Sequence, residues 1–323
     1  MITTTRPRSH PRQRSHPRPR SHPRPLSKII AAGALVLGLM ATGACSGNAS
    51  SAGESPTCPG GKIRFGVEPF EDPAKLVPAY QVLAGALGEK LNCPVELQVV
   101  QDYSAEVLAM QNGNLELAQF GPLGYVFASK RAKAEPVASF ADASGALSTY
   151  QAGIWVPKDS AITDVAGLAG HSLALSDPGS TSGDALPRQA LAEAGVVDQV
   201  KVDYAGGHPE ALLALINGKV DAAEINSQQL ATATEEGTFD QSAYRRIWTS
   251  APIPNDPITV AGDLDPAFKD AVRTALLELP PDKVAEVGAF LDVEPGPMVE
   301  VTQETYRPLF ELAETLGLTE SDV

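Results

Sequence analysis

Short runs of consecutive apolar residues alternate along this chain with longer stretches in which apolar positions recur every three or four, a pattern that predicts strands and helices in turn. Ile63 to Val67 reads as a strand ending at Glu68-Pro69, Leu76 to Leu91 places Tyr80, Leu83, Ala84 and Leu87 on one helical face, and Val95 to Val100 reads as a second strand. The alternation continues through a helix opening at Asp102-Tyr103-Ser104, a strand over Leu115 to Phe120, a helix over Tyr125 to Lys133 and a strand over Val137 to Ala141. A β-rich run, Tyr150 to Val156, enters a second unit of the same kind. There Ser172 to Leu175, Gln199 to Tyr204 and Val220 to Ile225 are strands, a helix runs to about Ala194, Pro209 to Ile216 and Ser227 to Glu235 are helices, and Arg246 to Thr249 is the last strand. Three helical stretches, Pro266 to Leu279, Pro281 to Leu291 and Thr305 to Leu316, close the chain.

The fold class expected is α/β, two lobes that are each a mainly parallel sheet flanked by helices, with a ligand cleft between them. The chain crosses between lobes twice in extended form, near Tyr150 to Val156 and near Pro252 to Pro257. Residues 61–151 with 256–323 make up lobe I, and residues 152–255 lobe II.

Charge changes the picture once the N-terminus is set apart. The first 44 residues hold seven arginines, one lysine and no acid, with Ser-His-Pro-Arg recurring at 9, 15 and 21 ahead of an apolar run from Ile29 to Ala44. A basic region, an apolar region and small residues make 1–44 a secretory signal peptide, too short in its apolar part for a membrane span. Thr42-Gly43-Ala44-Cys45 is similar to a bacterial lipobox, with Thr42 where an aliphatic residue is usual. Cys45 is therefore the expected lipidation site, residues 45–60 a tether, and the location extracytoplasmic on the outer face of the cell membrane. Beyond residue 44 the chain has 17 basic and 39 acidic residues, a surface unsuited to nucleic acid. Cys58 and Cys93, an even pair in a secreted chain, read as a disulfide. With only His171 and His208 beyond the leader and no Cys-x-x-Cys, neither metal nor cofactor is expected.

Candidate chemistry gathers at Asp177-Pro178-Gly179-Ser180-Thr181-Ser182-Gly183, between an apolar run and a helix. Three hydroxyls and several backbone N–H groups at one helix start suit an anion and need no lysine. Read alone, the same residues are also an ordinary helix cap. Five segments together, namely this one, Asp102 to Ala105, Ala205-Gly206-Gly207-His208, Val220 to Ala223 and Trp248 to Pro257, resemble the phosphonate-binding (PhnD-like) periplasmic solute-binding proteins of ABC transporters, from about Arg64 to Leu291. The resemblance implies the type II periplasmic-binding-protein fold and a ligand-binding set. In that set Ser180, Thr181 and Ser182 hold phosphonate oxygens, Tyr103 and Tyr150 face the ligand, His208 meets its oxygens, and Asp256 places a carboxylate at the cleft. Gln228 stands where aminoalkylphosphonate-binding relatives have glutamate.

The expected function is that of a binding lipoprotein, a monomer, delivering phosphonate, phosphite or a related phosphorus oxyanion to a permease with its ATPase. Two alternatives keep the fold: another small anion such as an alkylsulfonate or nitrate-type ion, and a sensor input domain. A hydrolase using Ser180 or Ser182 with His208 as base is disfavoured because no Gly-x-Ser-x-Gly elbow is present, so no catalytic residue is expected.

Overall fold

The computed structural model describes residues 57–319; the signal peptide, Cys45 and most of the tether lie outside them. The chain first lays down β1 (Ile63–Val67), α1 (Pro73–Leu91), β2 (Val95–Val99), α2 (Tyr103–Gln111), β3 (Leu117–Gln119), α3 (Pro122–Arg131) and β4 (Glu135–Phe140). Local chemistry sets these boundaries. The Asp72 carboxylate accepts the Ala74 N–H with Pro73 at the first helical position, and Asn92 in the left-handed region ends α1. Asp102 caps α2 by accepting the Ala105 N–H at 2.7 Å. Cys58 and Cys93 are joined, with Cα atoms 5.2 Å apart, tying the segment before β1 to the turn before β2.

After a short β5 (Thr149–Tyr150) come β6 (Gly153–Pro157) and β7 (Ser172–Leu175), then a π-helical turn, Thr181–Ala185, running into α4 (Leu186–Glu193). The second unit is completed by β8 (Lys201–Tyr204), α5 (His208–Ile216), β9 (Ala222–Glu224), α6 (Ser227–Glu235) and β10 (Tyr244–Thr249). The return passes through β11 (Ile253–Pro254) to β12 (Ile258–Val260), α7 (Pro266–Leu277), α8 (Pro281–Phe290), β13 (Met298–Val299) and α9 (Arg307–Thr315).

Two sheets result, in the orders β13-β4-β12-β3-β1-β2 and β10-β6-β9-β7-β8. Most strands in each sheet run the same way, with β1 parallel to β2 and β3, and β7 parallel to β8 and β9. Three strands are exceptions: β6 is antiparallel to β9 and β10, β12 to β3 and β4, and β13 to β4. Both faces of both sheets are covered, which is why the strand patterns read as unbroken apolar runs. Phe65, Val137 and Ile258 meet α1, α7 and α8 on one face of the first sheet, while Ala118 and Phe120 meet α2, α3 and α9 on the other. In the second sheet Ile154, Leu173 and Leu175 pack toward α4, and Trp155, Ala174 and Ala223 toward α5 and α6.

Three expectations need correction. Arg246 to Thr249 is not the last strand, because β12 follows Pro257 and fills the gap between β3 and β4; three residues after an Asn-Asp-Pro turn carry too little pattern to reveal a strand. The run Tyr150 to Val156 is two strands. Its first part pairs with β11, so the two crossings lie side by side as a two-stranded antiparallel ribbon. The helix after Gly183 does not start as a regular α-helix, since the Ala185 N–H reaches back to the Ser180 carbonyl. No helix among the described residues is long and apolar enough to cross a membrane.

Candidate functional site

The eight residues singled out in the sequence, Tyr103, Tyr150, Ser180, Thr181, Ser182, His208, Gln228 and Asp256, all line one cavity between the two sheets. It is small, about 20 Å³ open to the centre of a water molecule. Its wall is built largely of helix starts. Tyr103 opens α2, Gly121 caps α3, Ser180 caps the π-turn, His208 opens α5 and Asn226 caps α6. Each helix start contributes partial positive charge, so five of them around one void favour negative charge there in a strongly acidic protein. No lysine or arginine lines it.

The cradle is held from behind. Gly179, at φ 89°, makes the turn that brings Ser180 round, and the buried Asp184 carboxylate accepts the Gly179 N–H at 3.1 Å and the Tyr204 hydroxyl at 2.6 Å. Ser180 Oγ accepts the Gly183 N–H at 3.1 Å. Gly183 has no room for a side chain: a Cβ would overlap the Ser176 hydroxyl and come within 2.8 Å of His208 Cε1. Thr181 Oγ1 accepts the Leu123 N–H at the start of α3 at 2.8 Å, and Asn226 Nδ2 donates to Ser182 Oγ at 3.1 Å. Each cradle hydroxyl thus accepts one N–H and still has a proton with which to donate.

Electrostatics sorts the remaining groups. Burial works against a charged His208, but Glu224 against its Nδ1, with Glu71 and Asp256 farther off, outweighs burial and raises its pKa above the usual imidazole value. Its Nε2 lies 3.4 Å from Ser180 Oγ, so the imidazole faces the cradle. Tyr103, facing Ser180, and Tyr150, facing Thr181 and Ser182, are held as neutral phenols by burial and by nearby carboxylates. Burial pushes the Asp256 carboxyl up to about 7, and Gln119 Nε2 is 3.4 Å from it. Asp177 is raised to about 6 by burial and by Asp102.

Gln228 occupies the cavity wall, but its amide is engaged elsewhere. Nε2 donates to Asn255 Oδ1 at 3.2 Å and to the Leu291 carbonyl at 3.3 Å, joining α6 to the segment between β11 and β12 and to the end of α8. The neutral donor expected for the ligand is thereby an inter-lobe clasp. Sequence reasoning missed Glu68, Gly121 and Asn226, which also line the cavity. Asn226 had a signal, an Asx cap between a strand and a helix; Glu68 had only its place at a strand end. Among the described residues no group of acidic, histidine or cysteine side chains could hold a metal ion.

Residues 65–306 match the family model described as ABC transporter, phosphonate, periplasmic substrate-binding protein. The chain is 30% identical over 259 residues to the phosphate-import protein PhnD of Mycolicibacterium smegmatis, covering 76% of this chain and 80% of that one. It is 26% identical over 216 residues to the phosphonates-binding periplasmic protein of Escherichia coli, covering 65% and 64%. Among solved structures, PhnD1 of Prochlorococcus marinus in complex with methylphosphonate superposes with a TM-score of 0.70 at 18% identity, over 82% of this chain and all of that one. The chain belongs to the phosphonate-binding family of periplasmic substrate-binding proteins of ABC transporters, binding components and not enzymes.

Proposed function

We propose that the protein captures a compact phosphorus oxyanion (phosphate, phosphite or methylphosphonate) and presents it to the permease of an ABC importer. The single observation that carries the reading is the convergence of five helix starts, the Ser180 to Ser182 hydroxyls and His208 on one small void beside a buried carboxyl, Asp256. Donors neutralise the oxyanion, and an acceptor carboxylate selects a ligand that still carries a P–OH proton over sulfate, which has none to give at neutral pH. The cavity's size disfavours 2-aminoethylphosphonate, whose aminoethyl arm would need more space. In this reading residues 61–151 with 256–323 and residues 152–255 are the lobes that close on the ligand, the protein is a monomer, and Cys45 carries the lipid anchor. Titration calorimetry with phosphate, phosphite, methylphosphonate, 2-aminoethylphosphonate and sulfate tests it. Tight binding of one of the first three and weak sulfate binding are expected; a preference for sulfate or an alkylsulfonate would overturn it.

A further inference from the structure

Glu68 lies where β1 ends, lines the cavity, and is 3% exposed. Its Oε1 sits against Gly121, so closely that a Cβ there would be 2.7 Å away, while its Oε2 is buried and has no hydrogen-bond partner. Glu106 on α2, fully buried nearby, has no partner for either oxygen, and neither has the Gln119 Oε1. The other acid of the wall differs: Glu71 accepts the Asp72 N–H at 2.8 Å and has Lys75 at 3.6 Å.

A buried ionised carboxylate with an unpaired oxygen costs far more than the neutral acid. The groups facing Glu68 add to that cost. Asp256 approaches from before β12, Glu106 from α2 and Asp177 from the cradle, all acidic. Tyr80 on α1, Tyr103 on α2 and Tyr150 on β5 are neutral phenols. His208 acts on Asp256 and Asp177, lowering both. Burial, then Asp256 and Glu106, hold the Glu68 carboxyl well above the usual range, and the same causes, burial and Asp256, raise Glu106. The arrangement needs a proton on Glu68, and the unpaired Oε2 is the atom left to carry it.

We propose that Glu68 touches the bound oxyanion as a neutral carboxylic acid, its Oε2–H donating to the ligand, with Glu106 and Asp256 keeping that proton in place. An acidic wall then works as a hydrogen-bond donor. The proton stays on Glu68 throughout binding, and above the carboxyl's pKa it goes to solvent and the donor is lost. Glu106, outside the cavity wall, is a positioning residue. The inference rests on the oxyanion reading and adds a ligand contact to it.

Calorimetry with inorganic phosphate on wild type, Glu68→Gln and Glu68→Leu, over about pH 6 to 9, tests it. The phosphate's own titration is common to all three proteins and cancels in affinity ratios. Glu68→Gln keeps a neutral donor and should bind within about threefold of wild type at the acid end, whereas Glu68→Leu should lose about tenfold or more. Toward the alkaline end the wild type should weaken about tenfold relative to Glu68→Gln, and Glu106→Gln, which removes a charge that holds the proton on Glu68, should move that weakening to lower pH. A ratio flat with pH, or a Glu68→Gln as weak as Glu68→Leu, overturns the inference. So does infrared spectroscopy of the ligand-free protein if the wild type at neutral pH lacks a protonated-carboxyl band that Glu68→Gln removes, a readout that holds even if Glu68→Leu fails to fold. Failure of the oxyanion reading shows instead in the wild type, as absence of phosphorus-anion binding.

Discussion

At the scale of single residues, the cradle depends on groups that leave no slack. Thr181→Ala removes a hydroxyl that faces the cavity and strands the buried Leu123 N–H, so phosphate binding should weaken by about 1.5 to 3 kcal/mol, with Thr181→Ser restoring most of it. Calorimetry reads both, and an unchanged Thr181→Ala affinity removes the cradle from the site. Gly183→Ala forces a methyl against Ser176 and His208; overpacking of this kind costs about 1 to 3 kcal/mol. Much of that should appear as lost ligand affinity, because the displaced groups are the cradle's own. Gln228→Glu should weaken binding for a different reason: carboxylate oxygens would face the Asn255 Oδ1 and the Leu291 carbonyl, acceptors against acceptors. If Gln228→Glu instead gains 2-aminoethylphosphonate affinity without loss for phosphate, the clasp assigned to this residue is wrong.

At the scale of elements, what the sequence made legible follows the strength of local signals. α1 was plain from the long apolar face of Tyr80, Leu83, Ala84 and Leu87, though its first turn, opened by Asp72-Pro73, was not read. α6 was read at its observed bounds, Ser227 to Glu235, without the Asn226 cap that opens it. The cradle was legible because hydroxyls and glycines cluster between a strand and a helix, and the family resemblance gathered the other site residues around it. The strands β11 and β12 were not legible, since two or three residues next to prolines show no period. Glu68 and the role of Gln228 stayed hidden for a related reason: both depend on partners distant in sequence, Gly121 and Asp256 for one, Asn255 and Leu291 for the other. The Cys58–Cys93 bond, closing a separation of 35 residues, should stabilise the folded state by about 2 to 4 kcal/mol. A double serine variant should lose that in urea unfolding while keeping its phosphate affinity, since the bond lies away from the cavity wall.

At the scale of the whole molecule, buried groups whose pKa values are raised set a pH dependence with one sign. Asp256 rises from 3.8 to about 7 on folding, so between those values the folded state holds a proton that the unfolded state has released. Stability is then greatest at the acid end of the window and falls as pH rises through it, by roughly 4 kcal/mol if Asp256 acted alone. His208, also raised, adds in the same direction, its contribution lost as pH passes its folded pKa. The ligand-free protein should melt at a higher temperature near about pH 5 than near about pH 8; the reverse order would mean that these groups ionise freely in the fold. Two lobes joined by the β5–β11 ribbon should also close on the ligand, and X-ray scattering with and without saturating phosphate should record a smaller radius of gyration in its presence. The position of β12 reaches further, into the order in which the protein is made. This strand lies near the middle of the first sheet, yet it leaves the ribosome only after every strand of the second sheet. The later sheet therefore has all its strands available first, while the earlier one waits with β3 and β4 unjoined, bridged by nothing until residue 260 emerges. Emergence of β12, more than any local propensity, becomes the event that joins β3 to β4, and a nascent protein halted before Ile258 leaves those strand edges open to whatever holds it unfolded for export.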